Sequence, residues 1–106
     1  MYIIKQGTTP TFICSFDPDD ASVSDISSAV FSVTNEGTTV HHMLEDLTVN
    51  TLANTISYCF SQEETLAMKE FTDVYLELHV LLNDKRECAA DIKALCRNSQ
   101  YKEVLE

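Results

Sequence analysis

The clearest pattern in the chain lies between residues 73 and 84, where apolar and polar positions alternate. Five apolar residues fall on one side of this segment: Val74, Leu76, Leu78, Val80 and Leu82. Because successive side chains of a strand point to opposite faces, this spacing predicts a strand with one face in a core. Four residues are expected on the other face: Tyr75, Glu77, His79 and Leu81.

The same two-residue period predicts three further strands, at residues 11–16, 28–34 and 54–60. Their inward positions are Phe12, Cys14 and Phe16 in the first, Ala29, Phe31 and Val33 in the second, and Ile56, Tyr58 and Phe60 in the third. The first of these strands is expected to end at the Asp-rich turn 17–20, because proline cannot donate to a ladder and aspartate favours turns. A polar loop is then predicted as far as Ser27.

A hairpin is predicted around Asn35-Glu36-Gly37, since asparagine and glycine tolerate positive φ. Residues 38–45 would form its second arm. Residues 46–52 fit either a short strand or a loop packed over the core. Near the N-terminus, residues 2–5 form a short apolar run that ends at Gly7.

The period changes at Ser61, where the sequence Ser-Gln-Glu-Glu fits a capping box. The Ser61 hydroxyl can accept from the Glu64 amide, and the Glu64 carboxylate can reach back to the Ser61 amide. A helix of about two turns is therefore predicted near residues 62–69, with Leu66, Ala67 and Met68 as its apolar side. So short a helix needs packing against a sheet to be stable.

The last hairpin is expected to follow a turn at residues 84–86 and to pair Leu82 with Cys88. In that register five residues share the buried face: Cys88, Ala90, Ile92, Ala94 and Cys96. On the outer face, Glu77 would lie opposite Lys93 and His79 opposite Asp91. Opposite charges across a ladder contribute about 0.2–1 kcal/mol per pair, which favours this register.

Taken together, the segments predict a mainly β protein: an antiparallel, immunoglobulin-like β-sandwich of six to eight strands with one short helix. The 106 residues are enough for one core and too few for two, so residues 1–106 are expected to form a single domain. The tail, residues 98–106, fits either a last edge strand or a short helix.

Charge limits the classes of partner. The chain has 17 Asp and Glu against 7 Lys and Arg, a formal net charge of −10. Such a surface repels phosphate backbones and anionic lipids, so no nucleic-acid or membrane partner is expected. The acidic surface is best explained by solubility, and a basic protein partner is the alternative.

The four cysteines are expected to be core thiols rather than disulfide or metal ligands. Cys14, Cys59, Cys88 and Cys96 all fall in predicted strands, without a C-x-x-C pair or a histidine at zinc spacing. The N-terminal sequence has no basic segment followed by a long apolar run, so no export signal is expected. Thiols would then stay reduced in the cytosol.

Residues that could carry chemistry are few, and no catalytic, cofactor or metal site is predicted. His41 and His42 are adjacent, so on a strand their rings point to opposite faces. A solvated turn is favoured over a calcium site for four acidic residues: Asp17, Asp19, Asp20 and Asp25. The chain also lacks a G-x-S-x-G elbow and a glycine-rich phosphate loop, so an enzyme is not expected.

Three segments nevertheless resemble a family of small proteins encoded in phages and prophages of Gram-positive bacteria. They are residues 4–12 (IKQGTTPTF), 25–31 (DISSAVF) and 60–66 (FSQEETL). Family members tend to read "QGTTPT", "DI…A…F" and "LTQEETL", and the N-terminal domain of phage upper-baseplate proteins has a similar layout. Here Phe60 replaces the usual Leu, Ser61 replaces the usual Thr, and the last hairpin lacks the glycine often found there.

The resemblance implies a non-enzymatic virion or virion-assembly protein, as a tail, baseplate or head-completion component. Its partners would be other virion proteins, with a homo-oligomer as a further option, and it would occupy the host cytoplasm before assembly. Two alternatives remain open: a ligand-binding sandwich such as a carbohydrate-binding module, and a small acidic regulator that mimics nucleic acid.

Overall fold

The computed structural model describes residues 2–106, which form one α-helix and eight strands; the strands are arranged in two sheets. The strands are β1 (Tyr2–Lys5), β2 (Thr11–Ser15), β3 (Ile26–Asn35), β4 (Thr38–Met43), β5 (Thr48–Asn50), β6 (Thr55–Cys59), β7 (Asp73–Leu82) and β8 (Lys85–Arg97), and the helix is α1 (Gln62–Ala67). Two 3₁₀ turns lie at Val23–Asp25 and Leu44–Asp46. The mainly β class is confirmed.

The two sheets form a sandwich. The larger has the order β1-β8-β7-β3-β4, and the smaller has the order β2-β6-β5. All strand pairs are antiparallel except β1 and β8, which run parallel. Local periodicity cannot reveal that pair, because its members lie at opposite ends of the chain.

The core is centred on Phe31 of β3, which is fully buried. Its ring lies 4.6 Å from Phe12, 5.5 Å from Tyr58 and 6.0 Å from Phe60, measured between centroids. These three rings come from the smaller sheet and its end, so the aromatic cluster joins the two layers. Aromatic contacts in such arrangements add about 0.5–1.5 kcal/mol each beyond area burial.

The predicted inner face of β7 is confirmed: Val74, Leu76, Leu78 and Val80 are all buried. The β3–β4 hairpin is also confirmed, with Asn35 opposite Thr38. Its two loop residues, Glu36 and Gly37, both have positive φ (49° and 78°). That geometry is the two-residue turn whose twist matches the flanking strands.

The predicted register of the last hairpin is wrong. Leu82 pairs with Lys85, and the loop is Asn83-Asp84, both at positive φ (51° and 64°). Asparagine and aspartate adopt this conformation more readily than other non-glycine residues, so the loop needs no glycine.

A register shift between Leu78 and His79 then sets Leu78 opposite Ala90. The remainder of β8 keeps its predicted faces, with Ala94 and Cys96 buried. The shift leaves Ala89 as an unpaired bulge residue. Residues of β8 before this bulge lie on the opposite face from the one predicted, so Cys88 pairs with His79 and is exposed. Consequently Glu77 lies opposite Asp91 and Lys93 lies opposite Tyr75, in place of the two charge pairs expected from the sequence.

The tail is neither a strand nor a helix, because no regular structure follows Arg97. Side-chain hydrogen bonds hold it to the body instead. Ser99 Oγ donates to the Gln6 carbonyl at 2.5 Å. Gln62 and Leu105 exchange two hydrogen bonds, of 2.7 and 3.0 Å, between the glutamine amide and the Leu105 backbone.

The loop predicted to be polar as far as Ser27 contains two core residues, Val23 and Ile26, and β3 already begins at Ile26. Asn54 fixes this loop. Its amide nitrogen donates to the carbonyls of Phe16 and Ala21, each at 2.9 Å, and its Oδ1 accepts from the Val23 amide at 2.9 Å.

The sequence of residues 46–52 fits either a short strand or a loop packed over the core. This segment contains the short strand β5 and the buried Leu47.

Candidate functional site

The capping box predicted for α1 is present and forms part of a larger polar cluster. Ser61 Oγ accepts from the Glu64 amide at 3.2 Å, and the Ser61 amide donates to Glu64 Oε1 at 2.9 Å. Thr65 is the fully buried residue of the helix, whereas Ala67, expected on the apolar side, is exposed.

The Glu64 carboxylate also reaches β6 and β4. The Tyr58 hydroxyl lies 2.6 and 2.7 Å from its two oxygens. Nε2 of His42 lies 3.1 Å from Oε2, off the direction of a good hydrogen bond. The His42 ring stacks on Tyr58, with centroids 4.2 Å apart. His42 therefore points inward while His41 bonds to Ser32 on the outer face at 2.8 Å, as alternation predicts.

The surroundings of Tyr58 and Glu64 shift the pKa values of the two side chains in opposite directions. Burial, followed by the hydrogen bond to Glu64, raises the pKa of Tyr58 well above its ordinary value of 10.0. Burial alone would raise the pKa of Glu64, but the hydrogen bonds from Tyr58 and Ser61 and the nearby His42 outweigh it and lower that pKa. A phenol that keeps its proton and a carboxylate that stays ionised suit a structural link between α1, β6 and β4.

An apolar cleft of about 360 Å³ opens beside this cluster, between the β3–β4 hairpin and α1. Val33, Val40, Ala67 and Met68 form much of its wall, and Glu64 lies at one side. Val40 faces inward, like His42, yet is 48% exposed. Its exposure shows that the inner face of β4 extends past the cover provided by α1 and the smaller sheet.

A second cleft, of about 420 Å³, lies at the other side of the hairpin turn. Two exposed aromatic residues, Phe71 and Tyr75, line it together with Glu36 and Asp73. Phe71 has a φ of 59°, which is rare for a bulky side chain and costs about 1–3 kcal/mol. Asn35 supports this region by donating to Thr72 Oγ1 and to the Asp73 carbonyl, both at 2.9 Å.

The acidic residues considered for calcium binding do not line either cleft. Among residues 2–106 no group of three or more His, Cys, Asp or Glu side chains could hold a metal ion. Asp17 Oδ1 accepts from the Asp19 amide at 3.0 Å, so this carboxylate stabilises its own turn. His79, expected to pair with Asp91, instead contacts Glu77 at 2.6 Å and accepts from Arg86 Nε at 3.0 Å.

All four cysteines are free thiols, but only two are core residues. Cys14 and Cys96 are buried, and burial raises the pKa of both thiols. Cys59 and Cys88 are exposed, so the expectation of four core thiols is wrong for this pair.

The three segments that carry the phage-family resemblance pack together in the fold. The Thr65 hydroxyl donates to the Thr8 carbonyl at 2.8 Å, joining the third segment to the first. Phe31 of the second segment contacts Phe12 of the first and Phe60 of the third. The three segments thus form one packing unit around α1 and the aromatic cluster.

Neither protein-family models nor curated proteins provide a match to this chain. Within residues 2–106, no helix has the length and apolar character needed to cross a membrane.

Proposed function

We propose that this chain is a non-enzymatic structural or assembly protein of a phage or prophage virion, within a tail, baseplate or head-completion complex. It works through contacts with other virion proteins rather than with nucleic acid or membrane, and it occupies the host cytoplasm before assembly. The observation that carries the proposal is the packing unit of residues 4–12, 25–31 and 60–66. These segments contact one another, so the residues that carry the resemblance belong to one core.

The surface supports a contact function. The sandwich leaves the inner face of β4 uncovered at Val40, beside an apolar cleft, and it exposes Phe71 and Tyr75 near the same hairpin. Exposed apolar patches next to polar rims are typical of protein-binding sites. Tyr58 and Glu64 both have shifted pKa values, and their hydrogen bonds are satisfied within the fold. This arrangement supports a non-enzymatic role.

The test is made in the strain that carries the gene. After prophage induction, particles and assembly intermediates are separated on a density gradient and examined by mass spectrometry. We expect this protein in particles or intermediates, and incomplete particles when the gene is deleted and normal ones when it is restored. Absence from every particle fraction, together with an unchanged particle yield after deletion, would refute the proposal.

A carbohydrate-binding module is the second candidate, and the cleft with Phe71 and Tyr75 favours it. Aromatic rings beside carboxylates and hydroxyls suit stacking and hydrogen bonding to a sugar. On a glycan array, this function requires binding that is lost in Phe71→Ala and Tyr75→Ala but kept in Tyr101→Ala, an exposed aromatic of the tail. An array without binding by the native chain eliminates it.

A further inference from the structure

The four edges of the two sheets differ in how they are protected. An exposed edge presents unpaired N–H and C=O groups, and proteins blunt it with lysine, proline, bulges or short length. Edge β1 has four residues and carries Lys5, β2 follows directly after Pro10, and β5 has three residues. Edge β4 has six residues, Thr-Thr-Val-His-His-Met, with regular pairing to β3 and none of these protections.

The apolar cleft makes this edge more favourable for pairing. Val40 lies at the middle of β4, is 48% exposed on the inner face, and borders the cleft with Val33 and Met68. A strand added beside β4 would cover Val40 and extend over the cleft. The backbone N–H and C=O groups on the free edge of β4 would then gain hydrogen-bond partners in the added strand.

We propose that β4 is the contact surface of a symmetric dimer, in which β4 pairs antiparallel with β4 of a second copy. The two larger sheets then become one continuous sheet with a two-fold axis perpendicular to it. A C2 interface of this kind requires one surface to be complementary to itself. The β4 strand contains no Asp, Glu, Lys or Arg, so it can lie against a copy of itself without placing like charges opposite one another.

The register follows from side-chain alternation. Residues opposite each other must lie on the same face, so even numbers pair with even and odd with odd. One register with extensive overlap sets Val40 against Val40 of the second copy, with Thr39 opposite His41 on the outer face. The next register would set His41 against His41 and Val40 opposite His42. The register centred on Val40 is preferred because it places the two valine side chains in contact.

The net charge also provides a way to distinguish binding of a second copy from binding of a strand of another protein. Each copy carries a formal charge of −10, so two copies repel one another and added salt should strengthen the dimer by screening that repulsion. A basic strand from another protein would bind less tightly as salt rises. The salt dependence of self-association is therefore part of the test.

The experiment is sedimentation velocity on the full chain across a wide concentration range, at low and moderate salt. We expect a concentration-dependent dimer that tightens with salt. Val40→Lys places two like charges at the axis and should raise the dissociation constant at least about tenfold. Val49→Lys is the matched control, since Val49 is a similarly exposed valine on the short edge strand β5. It should dimerise as the native chain does.

Hydrogen exchange of the native chain provides a measurement that needs no variant. Amides of β4 should become more protected as concentration rises, while those of β2 and β5 should not change. A monomer at every concentration, equal weakening by both lysine variants, or protection at another edge would overturn the dimer. The particle experiment tests the virion role separately, because that role does not depend on self-association.

Discussion

Glu77 and Asp91 lie directly opposite each other on the outer face of β7 and β8. Both side chains are acidic, and like charges at this position of an antiparallel pair are destabilising. Glu77 is partly compensated by His79, whose Nε2 lies 2.6 Å from its carboxylate. The pair is thus a place where one substitution can improve the ladder.

Asp91→Lys should stabilise the fold by about 0.5–1 kcal/mol, because it replaces a repulsion with an attraction across the strands. Thermal unfolding should show a rise in Tm of roughly 2–6 °C. Asp20→Lys, in the exposed turn after β2, makes the same change in net charge and should have a smaller effect. If the gain in Asp91→Lys persists when Glu77 is changed to Gln, the two residues do not interact.

Asp84→Gly should also stabilise the chain. Asp84 has a φ of 64° as the second residue of the last hairpin turn, where Asn-Gly is the preferred pair. Relief of the left-handed conformation should add about 0.5–1 kcal/mol to the free energy of unfolding in urea. Asp84→Asn separates the loss of charge from the gain in backbone freedom and should give the smaller change. A destabilised glycine variant would contradict this turn geometry.

Glu64→Gln should lower the free energy of unfolding by about 1–3 kcal/mol at neutral pH, because it weakens the capping box and the Tyr58 bond. The pKa of Glu64 is lowered in the folded protein, so folding favours its charged form. Its contribution is complete above the ordinary pKa of 4.5 and is lost as the pH falls through the lowered value. The difference between native and variant proteins should shrink in acid.

Urea unfolding at several pH values measures this difference. Glu63→Gln is the matched control, since Glu63 is the exposed neighbour in the same helical turn. It should change stability by less than about 0.5 kcal/mol. An equal loss in both variants, or a loss in Glu64→Gln that does not depend on pH, would exclude the proposed linkage.

Asn54→Asp should destabilise the protein by about 2–4 kcal/mol, because a carboxylate would face the Phe16 and Ala21 carbonyls that now accept hydrogen bonds. Asn50→Asp provides the comparison. Asn50 Oδ1 only accepts, from the Ala53 amide at 3.0 Å, so a carboxylate can replace it. Thermal melts of the two variants should differ clearly; similar melts would show that the Asn54 amide is not required.

The sequence predicts those parts of the fold that depend on local chemistry. Alternation locates the inner face of β7, the Asn-Glu-Gly turn locates the β3–β4 hairpin, and the capping box locates the start of α1. Each rests on residues within a few positions of one another. The same is true of the opposite directions of His41 and His42.

The register of β7 and β8 could not be obtained in this way. A bulge beside Ala89 and a turn of Asn83 and Asp84 together shift the pairing, and neither alters the alternation downstream of the bulge. The two charge pairs that favoured the predicted register would stabilise it only weakly, and the conformation of the two-residue turn outweighs them. The clefts were also beyond prediction, because they depend on how far α1 and the smaller sheet cover β3 and β4.

The parallel pairing of β1 with β8 affects how the chain must fold. Tyr2 to Lys5 have their ladder partners at Ala94 to Arg97, so the first strand has no place in the sheet until residues 94–97 have been made. Such distant contacts close late and slow folding. During synthesis, Ile4 stays without its core until Cys96 arrives, and a nascent chain stalled before β8 would leave that apolar strand open to chaperones and proteases.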